Sequence, residues 1–168
     1  ADVSYAAHVQ VTRIDPEVYV PPHPGTPARV VVGEEFREAL FADRMEHPLP
    51  IGVSRSGEPV YANLEFLDGT RGAHASISGV SGVATKTSYA TFLLYSLFHS
   101  GVLGADAINT RALIFNVKGE DLLWLDTPNA RLTEEARATY GRLGLPVGPF
   151  TSVGLYAPAN RSGLALVP

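Results

Sequence analysis

The chemistry-bearing residues gather between Ile77 and Ser88, in the stretch ISGVSGVATKTS. A loop that holds phosphate needs backbone N–H groups free to point inward, a helix N-terminus behind them, a lysine for the outer phosphates and a hydroxyl for magnesium. Here Gly79 and Gly82 supply the permissive backbone, Lys86 the cation and Thr87 the hydroxyl, with apolar helical sequence following from Tyr89 to Phe98. The nucleotide-contacting set is therefore Gly79, Val80, Ser81, Gly82, Val83, Ala84, Thr85, Lys86, Thr87 and Ser88, with ATP and Mg2+ as cofactors and Thr87 as the magnesium ligand. Lys86 is read as stabilising the charge of phosphoryl transfer. The regular pattern G-x-x-x-x-G-K-[ST] requires glycine directly before the lysine. This chain has Thr85 there and one extra residue between Gly79 and Lys86, so the loop either closes with a bulge at Ala84-Thr85 or is a degenerate relic.

Such a loop must be delivered by a strand and backed by a helix. The segment Ala75 to Ile77 is the expected delivering strand, and Thr87 to Ser100 reads as a buried helix closed by Gly101 and Gly104. Arg111 to Val117 (RALIFNV) is a short apolar run of the kind buried on both faces of a parallel sheet. Thr133 is an expected N-cap with Glu134 and Glu135 in the first turn, for a helix ending near Gly144, and Ser152 to Tyr156 begins a further strand. This alternation predicts a partial α/β core of the P-loop NTPase type over residues 67–168. Glu120 falls at the carboxyl end of a predicted core strand, where open α/β sheets place ligands, and is the second catalytic candidate.

Residues 1–66 read differently. Tyr5 to Val20 alternates and is valine-rich, a proline-rich link leads to a second β-branched run at Ala28 to Val32, and Glu34 to Met45 has helical spacing ended by Pro48 and Pro50. IGVSRS and PVYANLEF are expected to pair across Ser56-Gly57. A small β-rich, barrel-like domain is the expectation here.

Three stretches in order, IGVSRSGEPVYANLEFLDGTRGAHASISGVSGVATKTS, ALIFNVKGEDLLWLD and SVGLYAP, resemble the HerA/FtsK group of P-loop ATPases, in particular HerA-like proteins with an N-terminal β-barrel. His74 matches the position before the phosphate-loop strand, and Lys118-Gly119-Glu120 the end of the group's second motif, with Asn116 replacing the usual acid at its start. The resemblance implies the ATP-binding part of a hexameric DNA translocase or helicase, a hydrolase that often works with a nuclease partner. The alternative is a non-hydrolysing nucleotide-binding or assembly module. The chain begins at Ala1 and ends at Val167-Pro168 after an apolar stretch, so we read it as the front part of a longer motor, inactive as an ATPase alone.

Other chemistry finds little support. The five histidines show no paired ligand spacing, no G-x-S-x-G occurs, and Ser81 has no identifiable base. Arg71 reads as a solvated turn cation and LLWLD, Leu122 to Asp126, as core packing around Trp124. The balance of 45% hydrophobic and 18% charged residues is that of a folded chain, and the net charge of −4 argues against a wholly basic DNA-binding surface. The absence of cysteine fits a reducing, cytoplasmic setting, and neither a membrane span nor a signal peptide is expected.

Overall fold

The computed structural model describes residues 8–80, 85–116 and 122–156. The chain divides into two units, residues 1–75 and 76–168.

In the first unit the helix α1 (Glu34–Ala39) opens after Gly33 and carries Glu34 and Glu35 where its dipole favours anions. The helical pattern predicted from Glu34 to Met45 stops early. Phe41 takes a left-handed conformation, φ 60°, and the chain turns into a short 3-10 segment, Ala42–Arg44. The predicted hairpin is present as β1 (Pro48–Val53) and β2 (Pro59–Asn63), antiparallel, with Leu49 opposite Ala62 and Val53 opposite Pro59. β1 begins three residues earlier than the expected Ile51, and it tolerates Pro48 and Pro50 because a strand of a two-stranded sheet has an outer edge that needs no N–H donor. The register shifts between Pro50 and Gly52, where a glycine at φ 151° takes up the bulge. In the connecting loop the N–H of Gly57 donates to the Ser54 carbonyl at 3.0 Å, with Gly57 at φ 86°, so the glycine of the predicted turn does the left-handed work.

Among the described residues this hairpin is the unit's one sheet, and no barrel closes around it. The two valine-rich runs expected as strands, at 8–20 and 28–32, form no ladder, and Val9, Val30 and Val32 are exposed. They lie as a strap instead. Arg13 anchors it, with its guanidinium donating to both carboxylate oxygens of Asp43, at 2.8 and 3.1 Å, and to the Glu38 carbonyl. The same guanidinium lies 5.3 Å from the Phe41 ring centroid. The buried apolar residues are few: Ala42, Leu49 and Leu64. Each buried leucine contributes roughly 1.5–3 kcal/mol, so polar staples carry weight here. One is Arg71, a largely exposed turn cation as expected, whose Nε meets Glu65 at 2.8 Å and whose guanidinium lies 6.0 Å from the Phe66 ring centroid.

The second unit is built on α2 (Thr85–His99), which begins two residues before the predicted Thr87, and on α3 (Glu134–Arg142), capped as expected by Thr133, whose Oγ1 accepts from the Ala136 N–H at 3.2 Å. α3 ends on Gly144 at φ 68°. There the Gly144 N–H donates to Gly141 and the Leu145 N–H to Tyr140, the paired bonds of a Schellman motif, with Leu145 buried as its apolar anchor.

The parallel sheet expected around these helices is not formed by the described residues. Residues 76–80, 111–116 and 152–156 run without ladder partners. Leu113 and Phe115 are 78% and 82% exposed, where burial on both faces was expected, and Tyr156, expected in a further strand, is 94% exposed. α2 has only Tyr95 and Ser96 fully buried. No helix among the described residues is long and apolar enough to cross a membrane.

Candidate functional site

α2 forms where it does because its sequence has no glycine or proline and is apolar on nearly every face, so helix propagation runs unbroken for 15 residues. Its N-terminus differs from those of α1 and α3. Both of those carry two glutamates in the first turn, while α2 carries none and places Lys86 there. The positive end of its dipole is thus reinforced rather than neutralised.

Lys86 reaches back along the loop. Its Nζ donates to the Gly79 carbonyl at 2.9 Å and to the Val80 carbonyl at 3.3 Å. The ammonium therefore ties the first turn of α2 to the backbone at Gly79 and Val80. Thr87 and Ser88 are exposed, and the Thr87 carbonyl accepts from Thr91 Oγ1 at 2.9 Å inside the helix. Of the predicted contact set, Lys86 is brought to Gly79 and Val80 in this way, and Thr87 and Ser88 follow it on the first turn of α2. Ser81, Gly82, Val83 and Ala84 lie outside the described residues, as does Glu120 with Lys118 and Gly119, and of Thr85 only its place as the first residue of α2 is described. His74 is exposed. No cluster of three metal-ligating side chains exists among the described residues.

A cavity of about 380 Å3 opens along α2 directly from this terminus. Thr87, Ser88 and Thr91 form its polar end, and Tyr95, one helical face further down, its floor. The opposite wall comes from the turn 122–127 and from α3. That turn is fixed by the Phe150 N–H donating to the Leu125 carbonyl at 3.0 Å and the Thr127 N–H to the Trp124 carbonyl at 3.1 Å.

The floor is an aromatic knot. Tyr95 meets Tyr140 and Phe150 edge to face, with centroids 5.8 and 5.4 Å apart, and Phe92 meets Tyr140 in the same way at 6.1 Å. His99 stacks on Tyr95 at 3.9 Å, and its Nδ1 lies 2.9 Å from the Tyr95 carbonyl. Tyr95 Oη donates to the Pro146 carbonyl at 3.1 Å. Burial raises both the Tyr95 and the Tyr140 phenol above the ordinary tyrosine value, so both stay protonated donors across the neutral range.

Of the residues lining this cavity the sequence reading named only Thr87 and Ser88 as site residues, and it placed one of the others wrongly. Trp124, expected to be core, is 64% exposed and lies at the cavity rim. The signal was available in its neighbours: Asp126, Thr127, Pro128 and Asn129 are turn residues, and an apolar run that ends in them so soon cannot bury both faces. No protein-family model matches the chain, and no curated protein matches it either.

Proposed function

We propose that residues 79–88 bind the polyphosphate of Mg-ATP, and that the chain is the nucleotide-binding part of a HerA-like DNA translocase. The observation that carries this reading is Lys86, whose ammonium bridges the Gly79 and Val80 carbonyls at the uncompensated N-terminus of α2. A cation on the first turn of α2, beside the N–H donors and positive dipole of the helix end, supports an anionic ligand there. Thr87 would hold the magnesium and Glu120 polarise the attacking water. The α/β motor core, the hexameric ring, the DNA substrate and a nuclease partner follow from the resemblance and belong to the same proposal. Hydrolysis is expected of the assembled motor and not of this chain by itself.

Isothermal calorimetry of Mg-ATP and of inorganic tripolyphosphate, on the wild type and on Lys86→Ala, tests the site. Binding that Lys86→Ala weakens at least tenfold supports it, since a charge-assisted hydrogen bond is worth about 1.5–3 kcal/mol. Equal binding by both proteins would sink it.

A second reading, a non-hydrolysing nucleotide-binding or assembly module, is favoured by the loop itself: Thr85 stands where glycine is usual, and one residue is added before Lys86. Single-turnover hydrolysis in the longer protein separates the two readings, because the module would bind ATP and release it unchanged.

A further inference from the structure

The polyphosphate reading leaves the cavity beside α2 without a use, and its lining is not that of a phosphate site. We propose that this cavity seats the nucleobase of the nucleotide, with the indole of Trp124 as its stacking platform. The inference rests on the polyphosphate reading for the direction in which the ligand lies, and goes beyond it in assigning a base site on side chains outside the glycine loop.

Three features of the cavity select a flat heteroaromatic ring. The first is position: Thr87 and Ser88 belong both to the helix N-terminus and to the cavity, and from Thr87 to Tyr95 the helix advances roughly 12 Å, so a ligand held at one end extends naturally into the other. The second is shape and chemistry. A space of about 380 Å3 lies within the range of small-molecule pockets, and its floor is made of rings whose edges and faces are already fixed against one another. Trp124 stands apart from this knot at the rim, with most of its surface open to a ligand. A π-face presented this way accepts any nucleobase, which matches a site that discriminates by ring rather than by edge.

The third feature is polar. Asn129 lines the cavity, and its Oδ1 accepts the Arg131 N–H at 2.9 Å. That bond orients the carboxamide and makes its NH2 the group it can offer a ring nitrogen or carbonyl. The Thr127 hydroxyl, which donates to Asp126 Oδ1 at 3.4 Å, adds an acceptor nearby. An apolar ligand would leave these groups without use, whereas a base satisfies them.

Trp124 is the chain's single tryptophan, so its emission reports on this cavity alone. The full chain is titrated with Mg-ATP, adenosine and tripolyphosphate, following emission and, in parallel, heat. The expected result is that ATP and adenosine change Trp124 emission and tripolyphosphate binds without doing so. Calorimetry on Trp124→Ala should show ATP weakened roughly tenfold and tripolyphosphate unchanged, with Trp124→Phe restoring most of the loss. Lys86→Ala should give the converse, weakening tripolyphosphate and sparing adenosine. If ATP and tripolyphosphate bind equally, leave the emission unchanged and ignore Trp124→Ala, the base inference is overturned while the phosphate loop stands. If adenosine alone binds and shifts the emission, the cavity is supported and the phosphate reading falls. Silence from all three ligands on a folded chain overturns both.

Discussion

Tyr95 joins the packing of the second unit to its cavity, and two substitutions there separate its hydroxyl from its ring. The residue is 5% exposed, donates to the Pro146 carbonyl at 3.1 Å, and contacts Tyr140, Phe150 and His99 through its ring. Tyr95→Phe keeps every ring contact and removes one hydrogen bond, leaving the Pro146 carbonyl without that donor. The loss should be about 1–2 kcal/mol. Tyr95→Ala removes the ring as well and opens a cavity under α3, for which about 3–5 kcal/mol is usual. In a unit of this size each kcal/mol moves the midpoint by roughly 4–8 °C, and total stability is only about 5–15 kcal/mol. The Phe variant should therefore melt about 4–16 °C lower and the Ala variant about 12–40 °C lower. Thermal melts followed by near-ultraviolet circular dichroism, which sees the aromatic cluster, make the measurement. A Phe variant that melts with the wild type would refute the Pro146 bond, and an Ala variant no worse than Phe would refute the knot as the organising core.

Three further outcomes are expected. Thr133→Ala, which removes the acceptor for the Ala136 N–H, should cost about 1 kcal/mol in a thermal or urea melt, and Thr133→Ser should recover most of it. Gly72→Ala places a Cβ 2.8 Å from the Phe66 carbonyl oxygen, a backbone atom that cannot swing away, so the first unit should lose about 1–3 kcal/mol by chemical denaturation. The hydrogen-bonded Arg13 guanidinium holds the Asp43 carboxyl below its ordinary value, so the strap's anchorage is complete above the unfolded pKa and lost as pH falls through the lower folded one. Proteolysis of residues 8–20 should accordingly accelerate below about pH 4 in the wild type, and at neutral pH already in Asp43→Asn.

What the sequence made legible was what neighbours along the chain decide. The hairpin, α2, and α3 with its Thr133 cap and Gly144 stop depend on residues within a few positions of one another, and each was found within a few residues of its expected bounds. The strands expected at 111–117 and 152–156 depend instead on distant partners. RALIF is as apolar as a core strand, yet Leu113 and Phe115 are exposed and form no ladder, because an apolar run specifies that burial is favourable without specifying what buries it. The helix read from Glu34 to Met45 failed for a related reason: its apolar spacing continues through Phe41, but there the ring sits under Arg13 and Arg44, and the backbone turns left-handed. The candidate site divides along the same line. Lys86 and Thr87 were legible as candidates because loop and helix start are contiguous, while the cavity draws on α2, α3 and two turns, and no spacing in the sequence announces it.

The contacts of Lys86 bear on how such a loop could work with Thr85 in place of glycine. An ammonium left in solvent across the loop would have to be desolvated and ordered when phosphate arrives. Held by the Gly79 and Val80 carbonyls, it is already ordered, and arrival of a phosphate exchanges neutral acceptors for charged ones. The exchange favours the ligand, since both sets of bonds are charge-assisted but only the phosphate adds Coulomb attraction between opposite full charges. The same clamp sets a geometric demand. To follow a phosphate the ammonium must leave both carbonyls while its stem stays rooted in the first turn of α2, so a bulge at Ala84-Thr85 that shifted the helix start would move the cation more than it moved the N–H donors. Binding would survive such a shift, because donors and dipole remain, but alignment for transfer would not. Retained affinity with lost turnover is thus the signature by which the irregular loop would declare itself a binding module rather than a motor.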